Sequence, residues 1–274
     1  MSAINTNLAS LNAQRNLMTS ESGLHTSIQR LSSGLRVNSA KDDAAGLSIA
    51  TKMDSQIRGM SQAARNANDG ISMAQTADGA LATAIDALQR MRELAVQGVN
   101  GTNNTADRAT LDVEFQAMTT EVKRIATDTK FNGTNILKAN TTGVDIQVGS
   151  EAGDLKINIK ETDLDLAITT SFGAQDLTTA AKSTASITAI DTALKSINDM
   201  RTDLGAAQNR LGFAVSNLQS SVENQSAAKS RIMDTDFASE TAKLTRGQIL
   251  QQAGTAMLAQ ANSAPNGVLA LLRG

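Results

Sequence analysis

The stretch ITAIDTALKSINDMRTDLGAAQNRLGFAVSNLQSSVENQSAAKSRI, residues 187–232, decides the architecture. Alternating steps of three and four along it give Ile187, Ile190, Leu194, Ile197, Arg201, Leu204, Gln208, Leu211, Val215, Leu218, Val222, Gln225, Lys229 and Ile232. Ten of these fourteen positions are aliphatic, and no proline interrupts them. A heptad stripe sustained in this way is the pattern of a long amphipathic helix. At roughly 1.5 Å per residue such a helix extends on the order of 70 Å. It cannot bury its own stripe, so it requires partner helices.

Those partners lie in the first half of the chain. The same step runs from Ile57 through Met60, Ala64, Ala67, Ile71, Ala74, Asp78, Leu81, Ile85, Leu88, Arg92 and Ala95 to Val99, and a shorter stripe follows at Leu111, Phe115, Met118, Val122 and Ile125. Three stripes predict a mainly α fold: an elongated antiparallel helical bundle. With the two long helices antiparallel and Ile57 near Ile232, Asp78 is expected close to Gln208. A polar layer of this kind fixes register.

Around this bundle the chain is simple. Residues 4–35 form a first amphipathic helix with two stripes: Ile4, Leu8, Leu11 and Met18 on one, and Leu17, Leu24, Ile28, Leu31 and Leu35 on the other. Two stripes imply two covered faces. A connector rich in Ser, Gly, Asn and Asp follows, with Asp42 and Asp43 available to cap the helix expected over residues 44–99. Residues 107–129 supply the next helix, and FNGTNIL, 131–137, reads as a turn. Val144, Ile146 and Val148, then Leu155, Ile157 and Ile159, alternate with other residues and predict one small β-hairpin near 144–159. A Thr- and Ser-rich return over 162–182 leads into the long helix. Past Asp234 and Asp236 a last helix is expected over 237–271, with a weaker stripe of Leu250, Ala253, Met257, Gln260, Ala264, Val268 and Leu271. The expected domains are residues 1–42 with 235–274, a terminal coiled-coil pair, and residues 43–234, the bundle with its hairpin. A lone pair with an Ala-rich seam is marginal in water, so the two ends are expected to order only within an assembly.

Composition excludes several functions. Aromatic residues are 2% with no Trp or Tyr, net charge is -2, and there is no Cys. The scattered Lys and Arg make no nucleic-acid footprint, and no apolar run is long enough to span a membrane. His25 is the only histidine, so neither a metal centre nor a catalytic base is expected, and no cofactor or enzymatic activity. The first residues, Met1 to Asn7, lack the layout of a cleavable signal peptide.

Several blocks carry a resemblance. INTN at 4–7, LSSGLRVNSAKDDAAG at 31–46, RNANDGISMAQTADGAL at 65–81, LQRMRELAVQ at 88–97, FNGTNIL, SRIMDTDFASE at 230–240, QILQQAGTAMLAQAN at 248–262 and LLR at 271–273 resemble bacterial flagellin, in family order over nearly the whole chain. With little but one hairpin between its helical segments, the chain resembles a minimal form without outer variable domains. The resemblance implies a subunit that polymerises into the flagellar filament for swimming motility. It also implies export through the flagellar apparatus without a signal peptide, and contacts with an export chaperone and a filament cap. The polymerisation seam is expected at Ile4, Leu8, Leu11, Leu24, Ile28, Leu31, Leu35, Leu250, Met257, Val268 and Leu271. The alternative is a hook–filament junction protein, which shares the terminal-helix plan.

The resemblance also touches one face of the first long helix. Arg90, Leu94 and Gln97 point almost directly away from the stripe of Ile85, Leu88, Arg92 and Ala95. Periodicity leaves two readings open: a solvated face with one leucine, or a face covered by the second bundle helix. The block Gln89 to Gln97 resembles the segment recognised by the vertebrate Toll-like receptor that senses flagellin, and Glu114 matches a further contact position.

Overall fold

The computed structural model describes residues 6–138, 143–150, 156–159, 163, 164, 168 and 175–273, with the backbone alone for 264–273. Its elements in chain order are α1 (Leu8–Ser33), α2 (Ala44–Val99), α3 (Thr105–Asp128), β1 (Lys130–Phe131), β2 (Thr134–Asn135), β3 (Val144–Gln147), β4 (Lys156–Ile159), α4 (Ala180–Met233) and α5 (Phe237–Arg273). The fold is mainly helical, with two small antiparallel sheets of two strands each. The chain divides into one compact unit of residues 1–55 with 224–274 and a second of residues 56–223.

In the second unit, α2 and α4 run antiparallel. Arg201 Nε donates to Asp78 at 2.6 Å, and Arg92 Nε to Asp191 at 2.8 Å. The first pair gives Asp78 an ionic partner that the stripes did not name: Arg201, seven residues before the expected Gln208. Apolar spacing alone cannot set register, because a slide of seven residues leaves the same face in contact. The guanidinium does, because it meets the carboxylate with a charge-assisted bond.

The buried positions of α4 include Ile190, Ile197, Leu204 and Leu211, all on the expected stripe. On α2, Met60, Ala67, Ala74, Leu81, Leu88 and Ala95 are buried at heptad spacing, and so is a second set, Ala63, Ala77, Ala84 and Met91. The two sets are three residues apart, so together they make one broad buried face. The core to which most of these residues belong also holds Phe115, Val122, Ile125 and Ala126 of α3.

Local chemistry sets the ends. Asn104 and Asp107 form a capping box at the start of α3. Arg108 donates from Nε to the Gly98 carbonyl and from Nη2 to that of Asn100, serving the free carbonyls that end α2. The segment expected as a simple turn is a tight hairpin: β1 and β2 flank Asn132 and Gly133, both at positive φ (49° and 80°). Two such residues are what a type I′ loop requires.

The second hairpin has the expected alternation, with Val144 opposite Ile159 and Ile146 opposite Ile157. Leu155 lies outside the described residues. The hairpin reaches α2 at Gly70, where a Cβ would stand 3.0 Å from Ile146 Cγ1 and 3.2 Å from Leu211 Cδ1. From the Thr- and Ser-rich return, Leu164, Ile168 and Leu177 are fully buried.

Candidate functional site

The first unit is built on the pairing of α1 with α5. Asn7 caps α1, and Gly34 ends it at φ 72°. Asp43 accepts from the Gly46 N–H to start α2, and Asp236 accepts from the Ala238 N–H to start α5. The two connectors are tied together. The Arg36 N–H donates to the Met233 carbonyl at 2.6 Å, the Thr235 N–H to Gly34 at 3.0 Å, and Leu35 bridges to Asp234. An ion pair of Lys229 with Asp54 adds a further link.

The α1–α5 contact is a heptad seam of leucines set against small residues. Leu17 and Leu24 are half-buried, and Gly254 and Gly247 of α5 lie against them. A Cβ on Gly254 would meet Leu17 Cδ1 at 3.0 Å, and one on Gly247 would meet Leu24 Cδ1 at 3.2 Å. Ser10 and Ser27 are buried on the same α1 face. The Ser10 hydroxyl donates to Asn262 Oδ1 at 2.7 Å, and Asn7 Nδ2 to the Ala261 carbonyl at 2.7 Å.

Ser27 meets the one buried carboxylate among the described residues. Glu240 is 3% exposed and accepts from Ser27 Oγ at 2.8 Å and Lys243 Nζ at 3.0 Å. Burial alone pushes this carboxyl up. The Ser27 hydroxyl, the Lys243 ammonium and the more distant Arg30 guanidinium overcome that effect and hold it below its ordinary value.

Outside the seam, apolar side chains face solvent. Leu8, Leu11, Met18 and Ile28 on α1, and Ile249, Leu250 and Met257 on α5, are between 47% and 71% exposed. Leu24, Leu31 and Leu35 are half-buried. Ile28, expected beside them, instead joins the exposed set. Ile4 and the side chains of Val268 and Leu271 lie outside the described residues. The α5 stripe through Leu250 and Met257 thus borders the contact with α1 instead of being buried in it. The intramolecular stripe is Leu244, Gly247, Gln251, Gly254 and Leu258, each half-buried. A hydrophobicity stripe overlooks it because glycine and glutamine carry no apolar signal; the spacing of seven between the two glycines, matched by Leu17 and Leu24, was the available clue.

The second unit places Gln89, Arg90 and Gln97 on the exposed surface of α2. Arg90 donates to Glu114 Oε1 of α3 through Nε (2.9 Å) and Nη2 (2.8 Å), and to Glu93 through Nη1 (3.0 Å). These carboxylates, Glu114 foremost, raise the guanidinium above its ordinary value. Leu94 is different. It is 1% exposed and belongs to the core that includes Phe115 and Val122 of α3. Of the two readings left open by periodicity, the covered face is the one found, and a solvated Leu94 is corrected.

Among the described residues no cluster of His, Cys, Asp or Glu could hold a metal, and no helix is long and apolar enough to cross a membrane. What the geometry offers is interaction surface. The helical regions have known counterparts: the bacterial flagellin N-terminal helical region matches residues 4–142, and the bacterial flagellin C-terminal helical region matches residues 187–272. The chain belongs to the bacterial flagellin family. It is 48% identical to a flagellin of Halalkalibacterium halodurans, over 98% of this chain and 99% of that one. Flagellin A of Vibrio cholerae is 36% identical with the same coverage, but its alignment runs over 375 residues. The 274 residues thus carry both helical regions in a shorter span than that alignment. The crystal structure of Bacillus cereus flagellin is similar at 34% identity and a TM-score of 0.50, covering 60% of this chain and 94% of that one. A structure described as a flagellar hook-associated protein from Vibrio parahaemolyticus has a TM-score of 0.54 over 70% of this chain and all of that one. At 15% identity it shows shared fold alone. As a flagellin, the protein is a structural component of the extracellular flagellar filament and not an enzyme.

Proposed function

We propose that this flagellin is held in its filament by the exposed apolar residues of α1 and α5, and that residues 1–42 with 235–274 become ordered only there. The observation that carries this reading is the row Leu8, Leu11, Met18 and Ile28 with Ile249, Leu250 and Met257, left in water by a pair of helices that has no other side to hide them. Apolar surface of this extent marks an interaction site. Burying each such side chain contributes about 1.5–3 kcal/mol, and several together offset the entropy of ordering two helices. The partner is a further copy, because a head-to-tail contact whose rotation does not close builds an open helical polymer. The chain reaches that site through the flagellar export apparatus, with an export chaperone on the α5 segment and a filament cap at the growing end.

The test is seeded polymerisation, followed by sedimentation and electron microscopy. The intact chain is expected to form long filaments, whereas chains lacking residues 1–30 or 245–274 keep a folded bundle and stay unassembled. Long fibres from either truncated chain would overturn the reading, and a short terminated layer from the intact one would favour the junction alternative.

A second surface is favoured by the exposed Arg90 paired with the partly exposed Glu114. This face, with Gln89 and Gln97, is the one we assign to a vertebrate flagellin-sensing Toll-like receptor. Arg90→Ala is expected to weaken activation in a cell reporter with the bundle still folded; unchanged activation would exclude it. Leu94 supports that face from beneath.

A further inference from the structure

Among the methionines whose side chains are described, two stand apart. Met18 is 71% exposed and Met257 is 65% exposed. Met60, Met73 and Met91 are buried, and Met53, Met118, Met200 and Met233 are half-buried. Met257 lines an open groove of about 380 Å³ along the α1–α5 pair, together with Leu17, Leu250 and Gly254. Met18 is exposed on α1, next in sequence to Leu17. The two thioethers best placed to meet an oxidant are therefore on the helices that carry the exposed apolar row.

We propose that Met18 and Met257 are modification sites for a peroxide oxidant, and that their oxidation prevents a subunit from joining a filament. This rests on the assembly reading above. Peroxide transfers one oxygen to the thioether sulfur. The O–O bond breaks, an S–O bond forms, the sulfur loses two electrons and water leaves. The product is a polar, chiral sulfoxide with a strong acceptor oxygen. A neighbouring copy that covers it with aliphatic side chains must strip its water and returns no donor, which is unfavourable. Where α1 and α5 do pair, Asn12 and Asn16 line the same groove and can hold the sulfoxide, keeping that groove hydrated. Once a filament has formed, both sulfurs are covered. The modification thus acts on free subunits and spares assembled ones. In the free subunit, whose ends order only in the filament on that reading, the two methionines are more exposed still.

The experiment treats the full chain with dilute hydrogen peroxide, as monomer and as polymer, and maps sulfoxide by peptide mass spectrometry. Oxidised monomer is then seeded, and its critical concentration is compared with that of untreated protein. We expect Met18 and Met257 to oxidise ahead of the methionines of the second unit in the monomer and to be protected in the polymer. We expect the critical concentration to rise at least about tenfold on oxidation, and methionine sulfoxide reductases of both epimer classes to reverse the rise. In an M18L/M257L variant the ratio of treated to untreated critical concentration should fall to about one, whatever the variant's own baseline. Normal polymerisation of protein oxidised at both positions would overturn the proposal. So would an undiminished peroxide effect in the double variant. If untreated protein never polymerises, the assembly reading fails and takes this inference with it.

Discussion

Leu94 and Glu240 carry the sharpest consequences of single side chains. Leu94→Ala removes a fully buried side chain and leaves a cavity in the α2–α3 core, so it is expected to destabilise the second unit by about 2–5 kcal/mol. Chemical denaturation followed by circular dichroism measures this. Arg90→Ala, four residues earlier on the solvent side, should leave the same midpoint nearly unmoved, because exposed ion pairs contribute little. A receptor defect in an L94A protein would therefore report lost stability rather than a lost contact. Glu240 gives a pH dependence of defined sign. Its carboxyl is held below the ordinary glutamate value of 4.5, so its contribution is present above that pH and is lost as pH falls through the lower folded value. Filaments or ordered α1–α5 pairs should loosen as pH drops below about 4.5, and raising the pH from 5 to 7 should add nothing from this group. Light scattering of filaments across that range checks it, with Glu240→Gln flattening the acid limb.

The elements obey a packing rule in which leucine on one helix needs a gap on the other. Gly247 and Gly254 are those gaps, opposite Leu24 and Leu17. Alanine there has a mixed effect, since the gain in helix propensity of about 1 kcal/mol opposes a slight crowding of flexible leucine tips. Leucine at both positions cannot be accommodated. G247L/G254L is expected to block polymerisation while the thermal transition of the second unit stays in place; filaments from that variant would show that α1 and α5 need not approach closely. In the bundle, the Asp78–Arg201 pair is more than a third exposed at both ends. Its loss in Asp78→Ala should cost under about 1 kcal/mol. Its role is to select one heptad register, and the charge-swapped D78R/R201D pair should preserve the fold by the same geometry, as measured by urea midpoint.

For the whole molecule, the division into two compact units predicts two levels of protection. The unit of residues 56–223 has a core drawn from three helices and a hairpin, whereas the α1–α5 pair is one seam with Leu and Met left outside. Amide hydrogen exchange on free subunits is expected to be fast throughout α1 and α5 and slow at Leu81, Leu88, Ile197 and Leu204. In filaments the terminal helices should become protected as well. Equal protection of all five helices in the free chain would remove ordering from the assembly step.

Much of this fold was legible in the order of residues, for identifiable reasons. Heptad spacing is a local property, so the helices over 44–99 and 107–129 and the alternation of Val144 with Ile146 could be read along the chain; the caps could be narrowed only to Asp42 or Asp43 and to Asp234 or Asp236, of which Asp43 and Asp236 hold the first amides. The long family blocks at both ends carry the resemblance to flagellin by sequence alone. The tertiary structure decided which faces meet. A shift of one heptad preserves every apolar position, so the ion pairs of Asp78 with Arg201 and of Arg92 with Asp191 fix the α2–α4 register. A leucine looks the same in sequence whether α3 covers it or water does, so the burial of Leu94 depends on a helix some twenty residues away. The contact face of α5 stayed hidden because glycines and a glutamine interrupt its leucines, and a glycine registers as a contact only when a partner's leucine occupies the space it leaves.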